Sequence, residues 1–180
     1  MIKIDSEPLP GVYVLENFLF KDLRGSFNKI YNEDAFNKIG LKFNPKEHFF
    51  TTSKKNVLRG MHFQVGNSSH EKLVFCTFGS LLDVVVDVRK DSKHFNKPFS
   101  IELSEKSPKL IFIGKGYAHG FLSQTKISSI HYLTSTIHNP TEDKGVLWNS
   151  IDFNWNIKSP ILSKRDLKHP SINQIKCEFS

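Results

Sequence analysis

Short apolar runs, each closed by turn residues, recur along most of the chain and give it the rhythm of a β protein. They predict strands at 11–15, 29–31, 49–53, 57–63, 72–78, 81–89, 99–103, 109–113, 120–122, 127–134 and 145–148. The first two flank the turn Asp22-Leu23-Arg24-Gly25; Gly66-Asn67, Gly79-Ser80, Lys90-Asp91 and Gly114-Lys115-Gly116 punctuate the later ones. Within 81–89, Asp83 and Asp87 alternate with valines, so a two-residue period puts both acids on one strand face. They read as structural or pocket-lining. One segment, 32–39, has helical spacing: Asn32 can cap it, Phe36 and Ile39 share a face, and Gly40 ends it. After Asn149 the pattern loosens into a tail marked by Pro160 and Pro170. There, 151–157 carries Phe153 and Trp155 and is expected as a short strand or turn. Leu162-Ser163-Lys164-Arg165-Asp166 is expected to start a small helix capped by Ser163. The expectation is an all-β barrel or sandwich in one domain, 1–180, with a core of about 11–150, a tail of 151–180 and short peripheral helices.

Composition agrees. A chain of 180 residues can bury roughly 70% of its unfolded surface in a single core. Sixteen phenylalanines against only Ala35 and Ala118 favour sheet over helix. The formal charge of +7 suits an anionic partner such as a phosphate or nucleotide. The lysines are scattered and form no basic stripe, which argues against nucleic acid. No apolar run reaches membrane-spanning length, and Met1-Ile2-Lys3-Ile4-Asp5 lacks the apolar centre of a secretory signal. Cys76 and Cys177 have no pairing pattern. No membrane partner and a cytoplasmic location are therefore expected.

The candidate chemistry lies in three places. Val57-Leu58-Arg59-Gly60-Met61-His62-Phe63-Gln64 sets an arginine three positions before a histidine, Gly116-Tyr117-Ala118-His119-Gly120-Phe121 holds a second histidine, and Tyr132 lies on a strand. Inverting a carbon beside a ketone needs a base on one face, an acid on the other and a cation near the enolate oxygen. A neutral imidazole accepts protons at physiological pH, which suits His62; Tyr132 suits the acid and Lys72 the cation. Taken singly, His62 reads as readily as a bonded core histidine, Tyr132 as a core aromatic, and Arg59 and Lys72 as surface charges. Gly60, Gly116 and Gly120 read as turn or close-approach residues.

Segments 20–27, 57–64, 82–89 and 116–121, then Tyr132, Asn139-Pro140, 145–149 and 162–166, carry a resemblance in their order and spacing. From about 11 to 166 the chain resembles the nucleoside-diphosphate 4-keto-6-deoxysugar 3,5-epimerases. The resemblance implies a cupin-like jelly-roll barrel, a homodimer, a nucleotide-sugar substrate, no metal or organic cofactor, and a role in surface-polysaccharide synthesis. It supplies Asp166 as the partner that orients His62 and stabilises its imidazolium. His119 and Arg59 match pocket positions, Arg59 near phosphate or sugar oxygens, where a planar fork of donors is useful. Gln64 and Arg165, inside the matching segments, join the substrate-binding candidates. Arg24 and Phe27 match residues that reach the nucleotide, in some members from the neighbouring subunit.

The departures from the pattern are informative. Where the family usually has Gln-X-Asn-X-Ser, this chain has Glu47-His48-Phe49-Phe50-Thr51, and His138 replaces a tyrosine that encloses thymine. Glu47, Phe49 and His138 thus suggest an altered base end. The expectation is a GDP rather than dTDP handle and a sugar as large as a heptose, with C3 alone or C3 and C5 inverted. A metal-binding cupin usually shows His-X-His; here the pair is His62-Phe63-Gln64, and His119 would bring the imidazoles only to two, fewer than a catalytic site's usual three protein ligands. A 3,4-ketoisomerase on the same fold would be separated by its product, and a non-catalytic binding module by its failure to exchange a carbon-bound hydrogen.

Overall fold

The computed structural model describes residues 2–107, 109–175 and 179. Cys177 lies outside them. Strands in the first part of the chain are β1 (Lys3–Leu9), β2 (Val12–Glu16), β3 (Phe18–Asp22), β4 (Gly25–Lys29), β5 (Glu47–Lys54) and β6 (Leu58–Gln64). They continue with β7 (Lys72–Phe78), β8 (Ser80–Asp87), β9 (Pro98–Ser104), β10 (Lys109–Ile113), β11 (Tyr117–Ser123), β12 (Ile127–Thr134) and β13 (Asp143–Gly145). One helix, α1 (Glu33–Lys38), separates β4 from β5.

Two sheets face each other, one in the order β1-β2-β10-β7-β12-β5 and the other β13-β6-β11-β8-β9. The fold is the expected all-β, cupin-like jelly-roll barrel. Leu81, Val85 and Phe121 from one sheet meet Val74, Ile111 and Ile130 from the other in its interior. Two satellite cores cover the outer faces. On the six-stranded sheet, Leu73, Phe75 and Phe112 pack with Phe36 of α1. On the five-stranded sheet, Leu58, Met61, Phe63 and Val84 pack with Ile151, Trp155, Ile172 and Ile175 of the tail. The tail is therefore one wall of a core, and docking it buries apolar surface worth about 1.5–3 kcal/mol for each large side chain covered.

The helix forms as its sequence dictates: Asn32 Oδ1 accepts from the Ala35 amide at 3.0 Å, Glu33 and Asp34 complement the N-terminal dipole, and Gly40 follows at positive φ. Other expectations shift. β1 was not anticipated, because its exposed edge position leaves it without an alternating apolar pattern. The strand predicted at 29–31 is displaced: β4 stops at Lys29, and the turn at Asp22–Gly25 joins it to β3 as a separate two-stranded hairpin. Residues 151–157 form no strand, yet Trp155 is buried and its indole N–H donates to the Trp148 carbonyl at 3.0 Å. The small helix starts later, as a 3-10 turn at Asp166–Lys168, where the Asp166 amide donates to Ser163 Oγ at 3.0 Å. Burial pushes the free thiol of Cys76 up to about 11, so it is inert. No helix among the described residues is long and apolar enough to cross a membrane.

Candidate active site

The floor of the site is built by two glycines. β6 and β11 approach so closely that a Cβ on Gly60 would lie 2.6 Å from Gly120 Cα, and one on Gly120 2.8 Å from the Arg59 carbonyl oxygen. Gly60 also adopts a φ of 142°, in the region that favours glycine. In the register that follows, His62 and His119 are cross-strand partners and so share a sheet face. That face points into the barrel.

Each imidazole meets a carboxylate. His62 Nε2 lies 2.7 Å from Asp166 Oδ1, a partner brought from the tail. Burial pushes the Asp166 carboxyl up, but the hydrogen bond and charge of His62, the Gly60 amide and Ser163 outweigh it and hold the group ionised, below its ordinary range. His119 Nε2 lies 2.7 Å from Asp83 Oδ2, and both side chains are buried. Asp83 thus serves the pocket by orienting His119. Asp87, four residues on, instead grips Arg89 through Oδ1 at 3.0 Å and Oδ2 at 2.7 Å and is structural.

The opposite wall comes from the six-stranded sheet. Tyr132 on β12 pairs with Phe49 on β5, their rings stacked at 4.8 Å, and meets His119 edge-on at 5.8 Å. Burial, then the Asp83 charge, raise the phenol far above its ordinary pKa, so it stays protonated. Lys72 opens β7 and is buried, with Nζ donating to the His62 carbonyl at 3.2 Å. Its pKa falls to about 8 because burial disfavours the cation, partly offset by Asp143 and Asp83.

His62, His119, Tyr132, Phe49 and Lys72 line one cavity of about 260 Å³, together with Arg59, Gln64, Glu47, His138 and Arg165. Arg59 is steadied by Ser53 Oγ at 3.1 Å. At the rim, the His138 amide donates to Glu47 Oε2 at 2.8 Å, and Asp143 receives His138 Nε2 at 3.0 Å and Arg165 Nη2 at 2.7 Å. Burial would raise the Asp143 carboxyl, but the His138 and Arg165 contacts win and keep it below its ordinary value. Asp166 touches His62 from behind and lines a separate cleft beside Ser163.

Arg24 and Phe27 are not in this cavity. They sit on the β3–β4 hairpin, whose strands pair with no strand of either sheet, and Arg24 is bound to Asp22 of the same turn. Within one chain, that hairpin leaves both side chains exposed and outside the cavity that His62 lines. His70, Thr134 and Asp143 line the cavity without having been anticipated. His70 could have been noticed as a histidine two positions before Lys72, and Asp143 as an acid between the Asn139-Pro140 turn and Gly145.

Donor atoms of His62, Asp166 and His169 lie within 4.8 Å of one another. The closest pair is only 2.7 Å apart, whereas ligands about 2.0–2.2 Å from a tetrahedral zinc stand roughly 3.3 Å from each other. The cluster is a hydrogen-bonded dyad with a neighbouring imidazole.

A barrel with a paired imidazole, a buried phenol and a buried lysine in one cleft brings together the kinds of group that proton transfer at carbon requires. The comparisons give it a family. The family profile for dTDP-4-dehydrorhamnose 3,5-epimerase matches residues 6–174. A dTDP-4-dehydrorhamnose 3,5-epimerase of Escherichia coli K12 is 40% identical over 162 residues, 88% of each chain. One from Salmonella typhimurium is 35% identical over 178 residues, 97% of each chain. The crystal structure of the Bacillus anthracis enzyme, with TDP and PPi bound, superposes with a TM-score of 0.91 at 31% identity, covering 94% of this chain and 99% of that one. The chain belongs to this family and is a carbohydrate epimerase.

Proposed function

We propose that the protein inverts C3 and C5 of a dTDP-linked 4-keto-6-deoxy sugar through an enolate, in the synthesis of surface polysaccharide. The observation that carries this reading is the cavity that His62 and Tyr132 line from opposite sheets, with Lys72 beside them. Because His62 Nε2 faces Asp166, Nδ1 is the nitrogen that takes the proton from the carbon next to the ketone. The carboxylate holds the ring and stabilises the imidazolium that results. Lys72 neutralises the enolate oxygen, and Tyr132, held protonated, returns a proton to the opposite face.

The altered residues Glu47, Phe49 and His138 do not carry the GDP expectation. The relatives above are named for dTDP sugars; Glu47 and His138 belong to a rim that they rebuild with Asp143 and Arg165, and Phe49 stacks on Tyr132. In this reading the substrate is a hexose, and the chain works as a homodimer. The exposed phenylalanines of the hairpin, Phe18, Phe20 and Phe27, support a second subunit, into whose cavity Arg24 and Phe27 reach towards the nucleotide.

Incubation with dTDP- and GDP-linked 4-keto-6-deoxyglucose in heavy water tests this directly. The expected result is deuterium at both C3 and C5 of the dTDP sugar. Label at C3 alone reduces the activity to a monoepimerase, faster exchange with the GDP sugar restores the other handle, and a shifted carbonyl identifies a ketoisomerase.

A further inference from the structure

His70 lines the same cavity but has no part in the proton transfers described. Its Nδ1 lies 3.1 Å from Gln64 Nε2 and 3.0 Å from Thr136 Oγ1. Its Nε2 is buried and bonded to no group among the described residues.

The Gln64 amide fixes which ring nitrogen carries hydrogen. Gln64 Oε1 accepts from the Asn139 backbone amide at 2.7 Å, which can only donate, so the side-chain NH₂ is the group turned towards His70. A hydrogen on Nδ1 would set two N–H groups face to face. Nδ1 therefore accepts. Thr136 does not oppose this, since its hydroxyl hydrogen can turn either to the Ser68 carbonyl, 3.0 Å away, or to Nδ1. Burial first, then the Lys72 charge, hold the imidazole neutral, with a pKa of about 3. A neutral ring that accepts at Nδ1 must carry its one hydrogen on Nε2. An unmade bond from a buried donor is unfavourable, and its natural partner is an acceptor that arrives with the ligand.

We propose that His70 is a substrate-binding residue whose Nε2–H donates to an oxygen of the sugar, on the side of the ring held by Lys72. This rests on the sugar-nucleotide reading of the cavity. It adds a neutral donor to the charged groups of the site, so the pocket selects for an acceptor oxygen there and disfavours a sugar carrying hydrogen at that position.

The test is calorimetric binding of dTDP-glucose and of dTDP alone to the wild type, His70→Leu and His70→Gln. A lost neutral hydrogen bond corresponds to about a three- to tenfold loss of affinity. The expected result is that loss for dTDP-glucose in His70→Leu, partial recovery in His70→Gln, and unchanged dTDP affinity in both. Nitrogen-15 spectra of the wild type should show hydrogen on Nε2 and a shift of that resonance with dTDP-glucose but not with dTDP. Equal loss for both ligands, or hydrogen on Nδ1, overturns the assignment. A wild type that binds neither ligand instead overturns the sugar-nucleotide reading and removes the ground for this one.

Discussion

Two imidazole–carboxylate pairs stand side by side on the barrel floor at the same 2.7 Å separation, yet they live in different surroundings. In the His62–Asp166 pair the imidazole is 31% exposed and the carboxylate 4%; in the His119–Asp83 pair the figures are 3% and 0%. The first joins a strand to the tail, and the second joins neighbouring strands of one sheet. Hydrogen-bond geometry alone does not separate a proton carrier from a fixed wall. Access does: a base must meet its substrate, whereas a buried pair shapes the space around it.

The sharpest way to break this comparison is to disable the proposed base and acid themselves. His62→Asn and Tyr132→Phe should each lower kcat by about 10²–10⁴-fold, with circular dichroism spectra unchanged. Near-normal turnover in either variant would remove the assigned role. Lys72→Met comes next, with kcat expected to fall about 10²-fold. The same residue fixes a pH signature. With a pKa near 8, Lys72 loses its cation as pH rises, so kcat should decline above pH 8. Stability should move the other way. Between about pH 8 and the ordinary lysine value of 10.5 the unfolded chain binds the extra proton, so Lys72's contribution to stability increases as pH rises through that window. Parallel rate and urea-denaturation series would expose the opposition, and a flat rate across pH 8 would contradict it.

Smaller effects should distinguish the pairs by stability. Asp83→Ala leaves a buried imidazole N–H without its acceptor and should cost about 1–3 kcal/mol in urea denaturation. Asp166→Asn should leave stability nearly intact while lowering kcat, and the opposite ranking would merge the two pairs into one structural class. Ser163→Ala gives the mildest change: losing the acceptor for the Asp166 amide should cost about 0.5–1 kcal/mol, measured in the same way, with a few-fold drop in kcat.

Much of this arrangement was legible in the chain itself. The strands that build the barrel interior announce themselves by alternation, and α1 by Asn32, Phe36 and Gly40, because those signals are local. His62, Lys72, Tyr132 and His119 were readable for the same reason: each lies within a strand or at its end, and strand phase fixes which face it uses. Asp166 needed the family pattern, since no local rule links it to a histidine 104 positions earlier. Arg24 and Phe27 show the converse. Their motif is clear, but what a projecting hairpin reaches depends on what lies beyond the single chain. His70 escaped notice because its importance comes from Gln64, Asn139 and Thr136, whose amides and hydroxyl meet only in the folded barrel.

Because Asp166 belongs to the segment that seals the five-stranded sheet, its carboxylate meets His62 only where that segment is docked. A polypeptide halted after β13 already owns every barrel strand and the base, but no carboxylate to steady it. Loosening that segment from Leu58, Phe63 and Val84 would withdraw the carboxylate from His62 in the same movement. Covering the sheet and orienting the imidazole are thus one event.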